Sequence, residues 1–553
     1  MERRVILAIV LMLFVAIAPS LIWPPKRPAD GRMGSSTDTG RVTQPPVTPS
    51  VATPAVAAQP PIRPSAEPAE TIWVTSPLYR LGFSTRGGAL VSAQLLQYQS
   101  FAPGDSAQRV QLVPAGQPLL VHKLVPTGGG DTVSLTDWSF QPSAPSVTVS
   151  GPTTLTFEAE QRGGRVTLEY RFVPDQYHFD IRGNVAGLGG SGAVVVIGLS
   201  DGLRSVEADS VDDYRHYAVV TKAAKADRTD FSSLDPGERA VLDGPFEWAG
   251  VKSKYFFAAA LALEENQPKF GGAIAVGVPR TGKKGARASV VLTLAVPPSG
   301  DFRYGLYVGP LDHRRLAAMD HGLDDANPYG GFLRPVIHPV SIFVVNVLVW
   351  IHEHLSLAYG WVLILFGVVV RILLWPLNQK AMESGIRMQA VAPLIKEIQD
   401  RYKTDPERLQ REMLRIYKEH KVNPFGGCLP MLLPMPVLLA LFFVFANTIE
   451  FRGVPFLWLP DLSRHDPIFI IPVLMGLSMF ALSKVGQIGI PPNPQMKMML
   501  YFMPVMMTVL FLNFASGLNL YYAAQNIFSI PQQYMIAMRR LREAPVARAP
   551  AKT

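Results

Sequence analysis

The chain has 553 residues, of which 48% are apolar and 17% charged, and its mean hydropathy is +0.18. Soluble domains carry roughly 25% charged residues, so this composition excludes an ordinary soluble protein and indicates an integral membrane protein. The net charge of +9 lies mostly beside the apolar segments, which argues against a nucleic-acid-binding surface. A single cysteine, Cys428, excludes an intramolecular disulfide.

The first 23 residues begin with Met-Glu-Arg-Arg and continue as an apolar run, for which two interpretations stay open. Ala16-Ile17-Ala18 resembles the cleavage site of a signal peptide, whereas the length of the run and Trp23 fit a retained transmembrane anchor. Under both interpretations the following residues are exported. Residues 24–70 are rich in Pro, Ala, Thr and Ser, which predicts an extended linker.

Residues 71–315 have a hydrophobic period of two. Val166, Leu168, Tyr170 and Phe172 alternate with polar or charged residues and would share one face of a strand. Many such strands, separated by Gly and Pro turns, predict an all-β sandwich. Its carboxylates and histidines are scattered without catalytic or ligand spacing, so we expect no enzyme activity, metal or cofactor here.

Residues 329–357 are amphipathic and predict a helix that lies in the membrane interface. This segment contains His352 and His354. Residues two apart on a helix point to different faces, whereas a zinc-binding pair needs a spacing of three or four, so we expect no metal site.

Five apolar segments within residues 358–538 predict a bundle of membrane-spanning helices. The connections 378–427, 484–497 and 539–553 hold ten, two and five Lys or Arg, and the opposite-side connection 451–466 holds two. The positive-inside rule therefore predicts that both termini are cytoplasmic, with 539–553 as a basic tail. The five segments are 359–377, 428–448, 467–483, 498–514 and 517–538.

The connection 379–422 contains two helical stripes and predicts a charged helical hairpin in the cytoplasm, with a solvated linker as the alternative. The first stripe includes Leu394 and Ile398. The second helix has start signals, because Asp405 fits an N-cap and Pro406 fits the first helical position.

Arg371 is the one charged residue in segment 359–377. A charge at the bilayer centre costs on the order of 3 kcal/mol, so such a residue usually faces a partner or a wet cavity. The alternative is snorkelling, since Arg371 lies roughly 8 Å along a helix from Pro376 and from the cytoplasmic headgroups.

The other predicted spans contain no Asp or Glu that could pair with Arg371, and the last span has a polar stripe. Uncharged amides and hydroxyls opposite an arginine indicate a hydrated groove, and ordinary interhelical hydrogen bonding is the alternative. The stripe consists of Asn519, Tyr522, Asn526, Ser529 and Gln533, with Gln525 and Gln532 at its edge.

Methionines crowd the third and fourth predicted spans and their connection, among them Met503 and Met507. Flexible thioethers suit a surface that meets varied apolar partners, and core packing is the equal alternative.

Several motifs, in the same order along the chain, resemble the YidC insertase family of the Oxa/Alb/YidC group. In the membrane region they are Arg371 with Trp375-Pro376-Leu377, residues 422–430, 449–452 and 461–467, and residues 517–533. In the exported domain they are residues 83–90, Trp248 with Lys254-Tyr255-Phe256, and residues 306–310. Pro434, Ala515 and Gly367 depart from the family pattern, which affects the lining of the groove.

The resemblance implies a multi-domain protein of the bacterial inner membrane, with a periplasmic all-β super-sandwich, an α-helical transmembrane bundle, a cytoplasmic helical hairpin and a retained N-terminal anchor. Its implied function is to insert and help fold inner-membrane proteins, alone or with the Sec translocon, without hydrolysing ATP. The implied partners are nascent membrane proteins, SecDF-type subunits, the signal-recognition-particle pathway or ribosome, and membrane lipid.

The resemblance also implies three groups of site residues. The cytoplasmic hairpin would recruit substrates, the groove would hold their polar segments, and a slide of apolar residues would guide their transmembrane segments. The hairpin residues are Met382, Arg387, Tyr402, Asp405, Met413 and Tyr417; the groove residues are Arg371, Gly367, Asn519, Tyr522, Gln525, Asn526, Ser529 and Gln533; the slide residues are Cys428, Leu432, Met435, Met503 and Met507.

Two other functions fit parts of the sequence. A secondary transporter of an anionic solute could use Arg371, but transporters usually have internal repeats and, when proton-coupled, a membrane carboxylate, and the sequence has neither. A membrane-anchored enzyme acting on carbohydrate could use the sandwich, but it would not need five further spans.

Overall fold

The computed structural model describes residues 69–379, 391–420, 435–489 and 494–543, apart from 106–107, 130, 162, 188–191, 264–268, 280–284, 320, 328, 331–332, 392–393, 396 and 404. The predictions for the N-terminal anchor, for nearly all of the linker, and for Met382, Arg387, Cys428 and Leu432 lie outside these residues.

Residues 71–310 form a β domain, whose described part contains twenty strands. They are β1 Thr71–Thr75, β2 Tyr79–Ser84, β3 Leu90–Gln99, β4 Arg109–Gln111, β5 Val121–Pro126, β6 Val133–Ser134, β7 Gln141–Pro142, β8 Ser146–Thr148, β9 Thr153–Gln161, β10 Gly164–Phe172, β11 His178–Ala186, β12 Ala193–Gly198, β13 Ala218–Lys222, β14 Ala226–Asp230, β15 Arg239–Phe246, β16 Trp248–Lys252, β17 Phe256–Leu261, β18 Phe270–Val278, β19 Arg287–Val296 and β20 Asp301–Pro310.

These strands make three sheets. A five-stranded sheet has the order β4-β3-β2-β1-β8, a nine-stranded sheet has the order β14-β13-β16-β17-β20-β11-β10-β9-β7, and a six-stranded sheet has the order β15-β18-β19-β12-β5-β6. The predicted alternation is confirmed on β10, where Val166, Leu168, Tyr170 and Phe172 are fully buried.

The two smaller sheets cover the same face of the nine-stranded sheet. Phe179 and Ile181 are two residues apart on β11, and Ile181 is paired with Tyr304 on β20, so all three share a face. Phe83 of the five-stranded sheet packs there, with its ring centroid 6.1 Å from that of Phe179. Nε2 of His122 on the six-stranded sheet lies 2.6 Å from the Tyr304 hydroxyl. The β domain is therefore a layered structure, as the period of two predicts.

The described helices follow the predicted segments closely, but their ends differ. The predicted span 359–377 is a helix only to Leu373, and a turn at Leu374 separates it from helical residues 375–379. The α-helices are α1 Ser210–Arg215, α2 His313–Ala317, α3 Arg334–Leu355, α4 Tyr359–Leu373, α5 Pro406–Glu419, α6 Met435–Asn447, α7 Ile470–Gly486, α8 Pro494–Phe511 and α9 Ser516–Glu543, and 3₁₀ helices occupy Leu135–Asp137, Phe231–Ser233, Leu323–Ala326 and Ile449–Phe451.

Among the described helices, α3 is the one with the length and apolar composition to cross a membrane. This is the segment for which the sequence predicts an interfacial position. Helices α4, α6 and α7 and residues Leu500–Phe511 of α8 are apolar but shorter. The membrane positions of these helices stay predictions.

Helix α9 is the central helix of the bundle and packs against α4 on one side and α7 on the other. Buried residues from four helices form the core at this level, including Leu348 of α3, Phe366 of α4, Val444 of α6 and Tyr521 of α9. The rings of Phe366 and Tyr521 are 5.9 Å apart. This packing places the face of α9 that carries Tyr521 next to the helix that carries Arg371.

The start of α5 has the predicted cap. Oδ1 of Asp405 accepts a hydrogen bond from the backbone N–H of Arg408 at 3.0 Å, and Pro406 is the first helical residue. The first four N–H groups of a helix have no acceptor within the helix. At the start of α5, the N–H of Arg408 is bonded to Asp405, and Pro406 has no N–H that needs an acceptor.

The hairpin packs differently from the prediction along its first stripe. Ile416 of α5 is buried with Val391, Ile395 and Ile398. Those three residues are spaced by four and three, so they share one helical face. The prediction that Leu394 belongs to this face was wrong, because the side chain is 39% exposed.

Candidate functional site

Arg371 lies in the last turn of α4, where a positive charge complements the carbonyl ends of the helix dipole. Its side chain is half-buried, and Nε is inaccessible to solvent. Within the described residues, Nε has no hydrogen-bond partner and no carboxylate forms an ion pair with this arginine. Among the described residues, no carboxylate therefore neutralises the charge of the Arg371 guanidinium.

Two contacts join α9 to the α4 region around Arg371. A methyl group placed at Gly367 would lie 3.4 Å from Cδ2 of Tyr521, so the predicted groove residue Gly367 lies against Tyr521. Nε2 of Gln532 donates a hydrogen bond to the carbonyl oxygen of Trp375 at 3.4 Å. Gln532, which the sequence places only at the edge of the stripe, is thus the amide that touches the segment after Arg371.

Other residues of the stripe bond to α7, to α8 or within α9. Nδ2 of Asn519 donates to the carbonyl oxygen of Phe511 at 3.0 Å, and Nδ2 of Asn526 donates to Oγ of Ser478 at 3.2 Å. Both are interhelical bonds, the alternative that the sequence leaves open for the stripe. Ser529 donates to the carbonyl oxygen of Gln525 at 2.5 Å within α9, and Gln525 is buried.

The two remaining stripe residues are half-buried. The ring of Tyr522 is nearly parallel to that of Phe511 at a centroid distance of 6.2 Å. Gln533 lies against α7, because a methyl group at Gly486 would come within 2.6 Å of its Nε2. Neither residue contacts Arg371 in the described contacts, so their role in a groove stays a prediction.

Several buried polar atoms on α4 and α9 have no hydrogen-bond partner among the described residues: Arg371 Nε, Asn519 Oδ1, the Tyr521 hydroxyl and Gln532 Oε1. More than nine-tenths of buried polar groups in proteins are normally bonded. Asn519 lies 13 residues before Gln532 on α9, so these atoms do not form one cluster, but each is an atom to which water or a polar group of another molecule can bind.

The exposed apolar face of α8 includes Met498 from the methionine-rich segment, but not Met503 or Met507. Met503 and Met507 are half-buried, and Met507 packs against the bundle core. Met435, at the start of α6, is also half-buried. The most exposed apolar residues of α8, each between 59% and 63% exposed, are Met498, Tyr501, Phe502, Val505 and Val509. Because all sides of α8 are apolar, no amphipathic signal in the sequence could distinguish this face.

The described hairpin residues are partly structural. Asp405 caps α5, and Tyr402, Met413 and Tyr417 are half-buried. The outer surface of α5 carries exposed ion pairs such as Arg411 with Glu407 and Arg415 with Glu419. Surface pairs of this kind contribute little to stability, which leaves their charges available to a partner. Recruitment of substrates by the hairpin stays a prediction.

Comparisons with known proteins match both halves of the chain. Residues 71–340 match the family model "YidC periplasmic domain", and residues 350–543 match the model "60Kd inner membrane protein". The chain is 31% identical over 557 residues to the "Membrane protein insertase YidC" of Oleidesulfovibrio alaskensis, covering 96% of this chain and 98% of the relative. It is also 31% identical to that of Syntrophus aciditrophicus, covering 97% and 99%.

A solved structure titled "Active YidC insertase crystal structure with the first transmembrane domain resolved" aligns with 85% of this chain and 93% of its own at 17% identity. Its TM-score of 0.35 is too low for the superposition to support an argument. The sequence relatives are aligned over nearly their whole length, so both halves of the chain are shared with them.

Proposed function

We propose that this chain, which belongs to the YidC family of membrane protein insertases, inserts inner-membrane proteins through a hydrated groove between α4 and α9. The groove is centred on Arg371. The observation that carries the groove is the set of buried atoms without partners: Arg371 Nε, the Tyr521 hydroxyl and Gln532 Oε1. These atoms would bind water in the resting protein and polar atoms of a substrate during insertion.

The arginine would act as a transient electrostatic holding site. Moving an acidic tail through hydrocarbon is costly, and a fixed positive charge in a medium less polar than water lowers that cost. Since Arg371 has no carboxylate partner in the described part of the chain, its charge is not already neutralised there. An acidic or polar segment that reaches Arg371 has only the remaining part of the membrane to cross.

The other regions would serve the same reaction. The charged surface of α5 would receive nascent chains, delivered by the signal-recognition-particle pathway or the ribosome. The exposed apolar face of α8 would receive the transmembrane segment as it leaves the groove toward lipid. In this arrangement both termini are cytoplasmic, the β domain is periplasmic, and the Sec translocon and its SecDF-type subunits are partners for larger substrates.

The test is insertion of a small single-span substrate into liposomes that contain the purified protein and no nucleotide. Arg371→Ala should lower insertion of a substrate with an acidic N-terminal tail by about tenfold, which corresponds to 1.4 kcal/mol, and Arg371→Lys should retain most of it. A substrate with a neutral tail is the control. Equal loss for both tails would refute the electrostatic role.

Crosslinking tests the path directly. A photo-crosslinker at Tyr522 should trap nascent chains, while one at Val473, which is 47% exposed on α7, should trap mainly lipid. Capture of lipid at both positions would refute the groove and favour a snorkelling Arg371.

A further inference from the structure

Arg452 inserts from the helical bundle into the β domain. It belongs to the connection between α6 and α7, and its side chain is only 3% exposed. Nε lies 2.7 Å from Oε1 of Glu207, and the guanidinium lies 4.4 Å from the ring centroid of Phe101 and 5.3 Å from that of Phe256. All three partners belong to the β domain, so one buried cation joins the two parts of the protein.

The surroundings of Glu207 are held by further buried groups. The backbone N–H of Lys254 donates to Oδ1 of Asp213 at 3.1 Å, and the Tyr217 hydroxyl donates to Oδ2 of the same carboxylate at 3.3 Å. Nζ of Lys254 forms an ion pair with Asp212 at 2.8 Å. Buried polar groups that are bonded on several sides have little freedom to move, so the binding site for Arg452 is rigid.

The same connection also binds the beginning of α9. The backbone N–H of Gly517 donates to the carbonyl oxygen of Leu462 at 2.9 Å, and that of Ser516 donates to the carbonyl oxygen of Arg464 at 2.6 Å. Oγ of Ser516 donates to the carbonyl oxygen of Asp461 at 3.2 Å. Without these bonds, the first N–H groups of α9 would lack acceptors. A continuous set of contacts therefore runs from Glu207 to the helix that carries the polar stripe.

We propose that Arg452 is a positioning residue for insertion: its contact with Glu207 fixes the α6–α7 connection on the β domain and thereby fixes the start of α9, whose later turns line the groove. This rests on the proposed groove, because α9 forms one of its walls. Arg452 itself does not line the groove. It acts on the groove through the α6–α7 connection.

Glu207 is the titratable partner in the contact with Arg452. Burial raises the pKa of the Glu207 carboxyl to about 7, Arg452 and Lys254 oppose this rise, and Asp213 adds to it. The nearby Tyr255 has its own pKa raised to about 12 by burial and is neutral throughout. The two effects oppose each other, because Arg452 binds the ionised carboxylate more tightly whereas burial of Glu207 favours its protonated form.

The attachment can be measured by the distance between two spin labels in the full-length protein. With Cys428→Ser as background, labels at Glu160→Cys in the β domain and Leu457→Cys in the connection replace side chains that are each 69% exposed. Glu207→Gln should broaden the distance distribution at about pH 8, where the carboxyl of the parent is ionised and pairs with Arg452. Glu247→Gln, which removes a charge from the pair with Lys269 within the β domain, is the matched control and should leave the distribution narrow.

The role in insertion needs a second measurement on the same variants. Glu207→Gln and Arg452→Ala should lower crosslinking of nascent chains to Tyr522 and insertion by about tenfold at about pH 8, and Arg452→Lys should lower them less. Glu207→Gln keeps the size of the side chain, so this variant should fold. Its melting temperature shows whether a loss of insertion is due to misfolding.

The outcomes separate the two proposals. An unchanged distance distribution in Glu207→Gln would refute the attachment. A broadened distribution with unchanged insertion would refute the positioning role. Failure of the parent protein to crosslink nascent chains at Tyr522 would instead refute the groove. The distances between the spin labels would then still test the attachment of Arg452 to Glu207.

Discussion

Gln532 of α9 donates its Nε2 hydrogen bond to the carbonyl oxygen of Trp375, in the segment that directly follows Arg371, at 3.4 Å. The other amide atom, Oε1, is buried and has no partner among the described residues. This glutamine therefore joins the polar stripe to the arginine-bearing segment and leaves an acceptor free beside it. It follows that Gln532 is a more informative position for testing the groove than the stripe residues that bond to α7 and α8.

Gln532→Leu should separate stability from function. Replacing a buried, half-satisfied amide by an apolar side chain of similar size changes the free energy of unfolding by about 1 kcal/mol or less. Insertion of substrates with acidic tails should fall several-fold, because the groove loses a polar atom that holds water. Thermal melting and liposome insertion measure the two effects. Gln533→Leu, on the side of α9 that faces α7, is the control, and an equal loss in both variants would contradict the assignment.

Gly367 sets how closely α4 approaches α9. A Cβ atom here would lie at an ordinary contact distance of 3.4 Å from Tyr521, so Gly367→Ser should fold and insert substrates normally. Gly367→Leu should push the helices apart and destabilise the protein by about 1–3 kcal/mol, the usual cost of overpacking. Melting temperatures of the two variants measure this. A large loss with serine would show that the two helices lie closer than the contact to Tyr521 indicates.

The sequence predicted these features unevenly, for physical reasons. The alternation around Tyr170 and the cap at Asp405 depend on neighbours in the chain, and both predictions were confirmed. The exposure of Leu394 and the bonds of Asn526 depend on which neighbouring helix lies on which side, and no local pattern encodes that. The pairing of Arg452 with Glu207 joins residues 245 positions apart. Only the folded chain brings them together.

The cap of α5 offers a local test of the hairpin. Asp405→Ala should destabilise the start of the helix by about 1 kcal/mol, because the N–H of Arg408 loses its acceptor. Hydrogen exchange should become faster at the first turn of α5 and remain unchanged in the β domain. Asp405→Ser retains a capping oxygen and should restore most of the protection. Equal exchange in all three proteins would show that the cap is not what orders the helix start.

Glu450 predicts a pH dependence of stability. This residue lines a cavity of about 480 Å³ with Tyr98, Asp312 and Arg452, and its Oε2 is buried without a partner among the described residues. Burial, followed by the charge of Asp312, raises the pKa of Glu450 to about 7 from the usual 4.5. The folded protein thus binds the proton more tightly than the unfolded chain does. Between about pH 4.5 and 7, this residue makes the free energy of unfolding fall as the pH rises.

Glu450→Gln removes the titrating proton while keeping the shape of the side chain. Near pH 4.5 the variant and the parent should melt at similar temperatures, because both side chains are neutral. Above pH 7 the variant should be more stable, by on the order of 2 kcal/mol, since the parent must then bury a carboxylate. Glu160→Gln, whose side chain is 69% exposed, should show no such difference. If the gain in Glu450→Gln were the same at both pH values, the cause would be packing or a new hydrogen bond, because neither of those depends on a proton leaving the carboxyl group.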